Sequence, residues 1–168
     1  MYSVGRIELE PEFKAITRKA LPRWWDNERV AAKVAAMHGC VIGQRPLNEH
    51  GVFVDYSTIR ITGGKSEKEA FWCYAKIHLV QTPRGHWLFS LDTRIHWESS
   101  GSLPGIRDTV VYATRQGAIE EALSRLIRKC ELKIANVHEE KLSRQRAKLL
   151  LEAVRREQAN LLPQMSIF

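Results

Sequence analysis

Two runs rich in strand-forming residues, Phe71 to Gln81 and His86 to Trp97, are separated only by Thr82-Pro83-Arg84-Gly85. No other feature limits the fold so strongly, because a connection this short joins antiparallel strands and nothing else. A three-residue loop of Thr82, Pro83 and Arg84, with Gly85 in the left-handed position of a bulge, suits these residue types. It predicts Phe71 opposite Ile95, Ala75 opposite Leu91, Ile77 opposite Phe89 and Leu79 opposite Trp87, which makes one face almost wholly apolar. The other face then shows Trp72 with Arg94, Tyr74 with Asp92, Lys76 with Ser90, His78 with Leu88 and Val80 with His86. A slip of one residue mixes Lys76 and His78 into the core, whereas a slip of two preserves both faces.

The flanking segments supply helices to cover such a sheet. Phe13 and Ile16 lie in a short predicted helix from Pro11 to Ala20 that ends before Pro22. Asp26 is the expected N-cap of a second helix, whose apolar line is Val30, Ala31, Val34, Ala35 and Met37 and whose end is Gly39. Trp24 and Trp25 stand just before it, placed to staple the chain onto the core or to stack on bases. Gln44 to Gly51 reads as a loop and Val52 to Thr62 as a strand closed by the turn Gly63-Gly64-Lys65-Ser66. That turn ends like a phosphate-binding loop, but the motif's first glycine would fall at Ile59, and a strand rather than a helix is expected next.

Glu98 to Asp108 is predicted as a loop, with a short strand from Thr109 to Tyr112. Thr114 caps a helix with the apolar line Ala118, Ile119, Ala122, Leu123, Leu126, Ile127 and Cys130. No Gly or Pro interrupts Ala118 to Leu162, and a break near Asn136 gives two helices of ordinary length. The expected fold is α+β: an antiparallel sheet of three to four strands packed by an N-terminal helix and one or two C-terminal helices. It divides into an α+β core over 1–135, a basic helix over 136–162 and an extended tail over 163–168, since Pro163 cannot continue a helix.

Charge narrows the partners. With 26 Lys and Arg against 19 Asp and Glu, the chain of 168 residues favours polyanions. Rings interleaved with cations suit single-stranded nucleic acid, the rings stacking on bases and the cations meeting phosphates. Trp72, Tyr74, Lys76 and Arg94 are the candidates on the sheet, unless a helix covers that face. Lys141, Arg144, Lys148 and Arg155, spaced along one side of the last helix, are the candidates there, unless that side is simply solvated.

Other chemistry is weakly marked. Cys40, Cys73 and Cys130 are far apart and form no Cys-x-x-Cys pair, so neither a disulfide framework nor a metal site is signalled, and a reducing cytoplasm fits best. His78, His86 and His96 have no carboxylate at ligand spacing. No hydrolase, metalloprotease or dinucleotide motif occurs and no cofactor is implied. The reading leans away from an enzyme; a metal-dependent nuclease built on Asp92, Glu98, Asp108 and His96 is the remaining activity. No apolar run is long enough to span a bilayer, and Met1 to Arg6 lacks the apolar stretch of a secretory signal.

Gln164-Met165-Ser166-Ile167-Phe168 offers an amide and three apolar side chains in extended form. It resembles the Gln-Leu-Ser/Asp-Leu-Phe pentapeptide by which bacterial replication and repair proteins dock on the sliding clamp. It differs by Met165 and Ile167, both volume-conserving changes. The resemblance implies a clamp partner for an accessory protein of a bacterium, plasmid or phage. The alternatives are a clamp competitor or anti-defence protein that binds a host protein without DNA, an antitoxin-like module, or a tail that tucks into its own core. The order helix, three strands, helix is also similar to double-stranded RNA-binding domains and to antitoxin domains built on part of that topology, with the segment Tyr112 to Leu123 similar to their strand-to-helix junction.

Overall fold

The computed structural model describes residues 6–7, 24–107 and 110–161. The expected helix from Pro11 to Ala20 and the pentapeptide Gln164 to Phe168 lie outside them. The fold is α+β. In chain order the elements are β1 (Arg6–Ile7), α1 (Glu28–Met37), β2 (Ser57–Thr62), α2 (Glu67–Trp72), four successive strands β3 (Cys73–Gln81), β4 (Trp87–Ile95), β5 (Glu98–Gly101) and β6 (Val111–Tyr112), and two helices α3 (Arg115–Ala135) and α4 (Lys141–Leu161). The strand order is β1-β6-β4-β3-β2, with β5 also on β4. The chain separates into two compact units: residues 1–57, 78–90 and 103–118 form the first, and residues 58–77, 91–102 and 119–168 the second.

In the first unit α1 is capped by Asn27 rather than Asp26. The Asn27 side chain accepts from the amides of Arg29 at 3.1 Å and Val30 at 3.3 Å, while Trp24–Asp26 forms a turn of 3-10 helix. Gly39, at φ +74°, ends α1 as expected. Ala31, Val34 and Ala35 of this helix pack with Leu47, Phe53, Val80, Leu88, Ile106 and Val111. Val80 and Leu88 were expected on the open face of the hairpin; in this unit that stretch is core. The expected strand from Val52 begins only at Ser57, because Val52 and Phe53 make isolated bridges with Gly105 and Leu47 instead.

Gly85 takes the left-handed position expected of it, but the loop is Pro83, Arg84 and Gly85 rather than Thr82, Pro83 and Arg84. Gly85 has φ +84°, the Gly85 amide donates to the Thr82 carbonyl and the Thr82 amide to the His86 carbonyl, both at 2.8 Å. The pairing beyond it is displaced by two residues, because the bulge at Gly85 sets Thr82 against His86. Lys76 therefore meets Asp92, at 3.3 Å, rather than Ser90, and the His96 amide donates to the Trp72 carbonyl at 2.8 Å. The two faces survive this displacement, as a two-residue slip requires.

The second unit departs further. Phe71 and Trp72 belong to α2 rather than to β3. The cause is a capping box in the supposed turn: Ser66 Oγ accepts from the Glu69 amide at 3.2 Å, and the Glu69 carboxylate accepts from the amides of Lys65 at 2.7 Å and Ser66 at 3.3 Å. A helix thus does follow Gly63-Gly64-Lys65-Ser66, contrary to expectation, but Glu69 occupies the amides that a phosphate-binding loop leaves open. Glu98 to Gly101, expected as loop, is strand β5 in register with β4. Lys129 holds it there, donating to Thr93 Oγ1 and Ser100 Oγ at 2.6 Å each.

Helices α3 and α4 break at Asn136, whose side chain accepts from the His138 amide at 3.1 Å, and Thr114 caps α3 through the Gly117 amide at 3.0 Å. The buried side of α4 is Ser143, Ala147, Leu150, Leu151, Ala153 and Val154. It lies so close to β2 and β3 that a Cβ on Gly63 would stand 2.2 Å from Cys73 Sγ and 2.9 Å from the Leu150 amide nitrogen.

Candidate nucleic-acid interface

The second unit gathers the sheet candidates into one surface. Tyr74, Lys76, Asp92 and Arg94 alternate with the buried Cys73, Ala75, Ile77, Thr93 and Ile95 along β3 and β4, so they share the side away from Cys73. All four are half-buried. Arg60 and Lys76 each place their cation 5.2 Å from the Tyr74 ring centre. Lys76 is partly neutralised by Asp92.

At the end of the strands the rings accumulate. The Arg94 guanidinium lies 4.5 Å from the Phe71 ring centre and 4.8 Å from that of Trp72, and Arg146 of α4 lies 5.1 Å from Trp72. Arg94 Nε is screened from solvent and has no hydrogen-bond acceptor among the described residues. Phe71 and Trp97 remain 53% and 71% exposed, far more than large aromatics ordinarily leave open.

His96 positions this corner. It occupies the first place of the two-residue β4–β5 turn with φ +60°, a sign the primed hairpin turns demand, and so carries Trp97 outward at the tip. Arg146 meets His96 Nδ1, and His96 Nε2 lies 3.3 Å from a Glu140 carboxylate oxygen. Phe71, Trp97 and Arg146 were not singled out from the sequence. Trp97 was legible as the end of a strand run, but its exposure depends on the turn at His96.

The candidates on α4 fall elsewhere. Lys141, Arg144 and Lys148 line a cleft of about 280 Å³ with Ile134 and Gln145. Arg146 lies roughly 140° round the helix from Lys141. Arg155 donates to Glu131 at 2.9 Å and is the one member of that stripe with an ion-pair partner among the described residues. The nuclease candidates do not converge into a ligand set: Asp92 pairs with Lys76, Glu98 with Lys133, His96 with Arg146 and Glu140, and Asp108 lies outside the described residues. No group of three or more His, Cys, Asp or Glu able to hold a metal occurs among the described residues. No helix among them is long and apolar enough to cross a membrane.

The thiols are electrostatically inert. Burial pushes the Cys73 thiol up to about 11 and the Cys130 thiol up to about 12. In the first unit burial, with His86 and Arg84 adding to it, lowers His38 to about 4. That unit also has a cavity of about 440 Å³ bordered by Trp25, Glu28, Glu49 and Arg107, with Arg107 stacked 4.6 Å over Trp25.

Comparison with known proteins finds no matching family model, no matching curated protein and no matching solved structure.

Proposed function

We propose that the protein is a nucleic-acid-binding accessory protein of a bacterium, plasmid or phage, acting in the cytoplasm and brought to replicating DNA by the docking of Gln164, Met165, Ser166, Ile167 and Phe168 on the sliding clamp. The observation that carries the first half is the exposed pair Phe71 and Trp97 around Trp72, with the Arg94 guanidinium against two of the three rings. Open aromatic faces beside cations suit bases that are already unstacked, since every base presents a π-face and each phosphate a negative charge. The second half is supported by the resemblance of the pentapeptide alone. Tethering makes modest contacts sufficient: a micromolar peptide contact is worth about 8 kcal/mol, and it raises the local concentration of the body at DNA.

Two measurements test the halves separately. The protein lacking residues 163–168 is expected to bind oligo-dT with an affinity that falls steeply with salt, and Arg94→Gln to weaken it. Absence of binding at low salt defeats the nucleic-acid half. The full chain is expected to co-elute with purified bacterial clamp, and the double substitution Gln164→Ala, Phe168→Ala to abolish co-elution; persistence of the complex defeats the clamp half. A body that ignores nucleic acid while the tail still holds the clamp would instead support a clamp competitor.

A further inference from the structure

We infer that the cleft between α3 and α4 is a second phosphate-binding site, which takes the phosphodiester backbone of a nucleic-acid strand separately from base stacking on the sheet. The occupant follows from the nucleic-acid reading above; the site itself rests on different residues. Lys141, Arg144 and Lys148 recur at steps of three and four, so their cations converge on one side of α4, and a cleft of about 280 Å³ opens between them and Ile134.

Charge complementarity decides the class of occupant. None of these three side chains has an ion-pair or hydrogen-bond partner among the described residues, and Arg144 Nε is screened from solvent without an acceptor. Three of the neighbouring carboxylates have partners, Glu131 with Arg155, Glu139 with Lys133 at 3.0 Å, and Glu140 with His96, which leaves Glu152, one turn beyond Lys148, as the remaining acid on this side of α4. The first turn of α4 carries no acidic residue either, so its amide dipoles add to the positive field. Three cations around a concavity with one nearby acid carry a net positive charge that suits an anion with several acceptor oxygens, and a phosphodiester supplies them. No aromatic ring lines the cleft, which separates it chemically from the sheet surface.

The test uses the full chain and two fluorescent probes of equal length: oligo-dT, and an abasic strand that keeps the sugar-phosphate chain without bases. The wild-type protein is expected to bind the abasic strand at low salt. Arg144→Gln combined with Lys148→Gln is expected to weaken that binding at least tenfold and to flatten the log–log salt slope by about 1.4, since each single-strand phosphate contact contributes about 0.7. Unchanged thermal unfolding of the double variant is the folding control, and Lys141→Gln is the substitute if it fails. An abasic strand that is not bound, or is bound equally by wild type and variant, overturns the inference. If oligo-dT binding still depends on Trp97 in that event, the sheet reading stands and only the cleft is lost. If the cleft variant fails to bind the abasic strand while Trp97→Ala leaves oligo-dT affinity untouched, the cleft stands and the sheet reading falls.

Discussion

The indole of Trp97 meets that of Trp72 edge to face, with ring centres 4.5 Å apart, yet most of Trp97 remains open to solvent. The contact aims one ring without burying it. Trp97→Ala is therefore expected to change folding stability by less than about 0.5 kcal/mol, as exposed substitutions do. Its effect on oligo-dT affinity should be larger, about 1–3 kcal/mol for one stacked base. Urea unfolding and anisotropy titration on the same sample compare the two. A stability loss that matches the affinity loss would assign Trp97 to packing.

Acid should weaken the first unit through His38. Its pKa is lowered from 6.5 to about 4, mainly by burial, so the folded protein holds it neutral where the unfolded chain protonates it. The sign follows: stability is unaffected above the unfolded value and is lost as pH falls from about 6.5 towards about 4. Between pH 7 and pH 5 the loss from this group is about 2 kcal/mol. Chemical denaturation at the two pH values should show that difference shrinking by a similar amount in His38→Gln, and an equal pH dependence in the variant would remove His38 as the cause.

Gly63 has no room for a methyl group. Its added Cβ would meet Cys73 Sγ on one side and the α4 backbone at Leu149 and Leu150 on the other. Backbone cannot swing away as a long side chain does, so Gly63→Ala is expected to destabilise by about 1–3 kcal/mol. Pairing it with Cys73→Ala should recover the part due to the sulfur and leave the part due to the helix. A melting temperature equal to that of the wild type would show that α4 does not approach Gly63 so closely.

Thiol chemistry reports on the same packing. Cys40, Cys73 and Cys130 are all buried and burial raises all three. At pH 8 a thiol reagent should label none of them in the native protein and all three in denaturant. Rapid labelling of any one in native buffer would place it outside the core.

Much of the scaffold was legible because the signals were local. Thr114, Asn136, Gly39 and Gly85 each act on their own few residues, and each does in the structure what its chemistry predicts. The errors share a different cause. Asn27 displaced Asp26 because two adjacent residues were equally good caps. Ser66 and Glu69 form a capping box that converts a presumed turn into a helix start, and six helical residues are too few to show a period. β5 has no apolar alternation; it is a strand because Lys129 and the β4 edge hold it, which no single segment reveals. The candidate surface shows the same division. The alternation of Tyr74, Lys76, Asp92 and Arg94 was readable from β-strand period alone, whereas Phe71 depends on the capping box at Ser66, Trp97 on the turn at His96, and Arg146 comes from an element distant in sequence.

The stop of α2 at Trp72 has a geometric consequence. Successive residues in a strand point to opposite sides, about 180° apart, while successive residues in a helix diverge by only about 100°. Because Phe71 and Trp72 are the final helical pair, one guanidinium reaches both rings. A deletion of one residue upstream of Phe71 would turn one ring away from Arg94, so the spacing from Ser66 acts as a ruler for the aromatic corner.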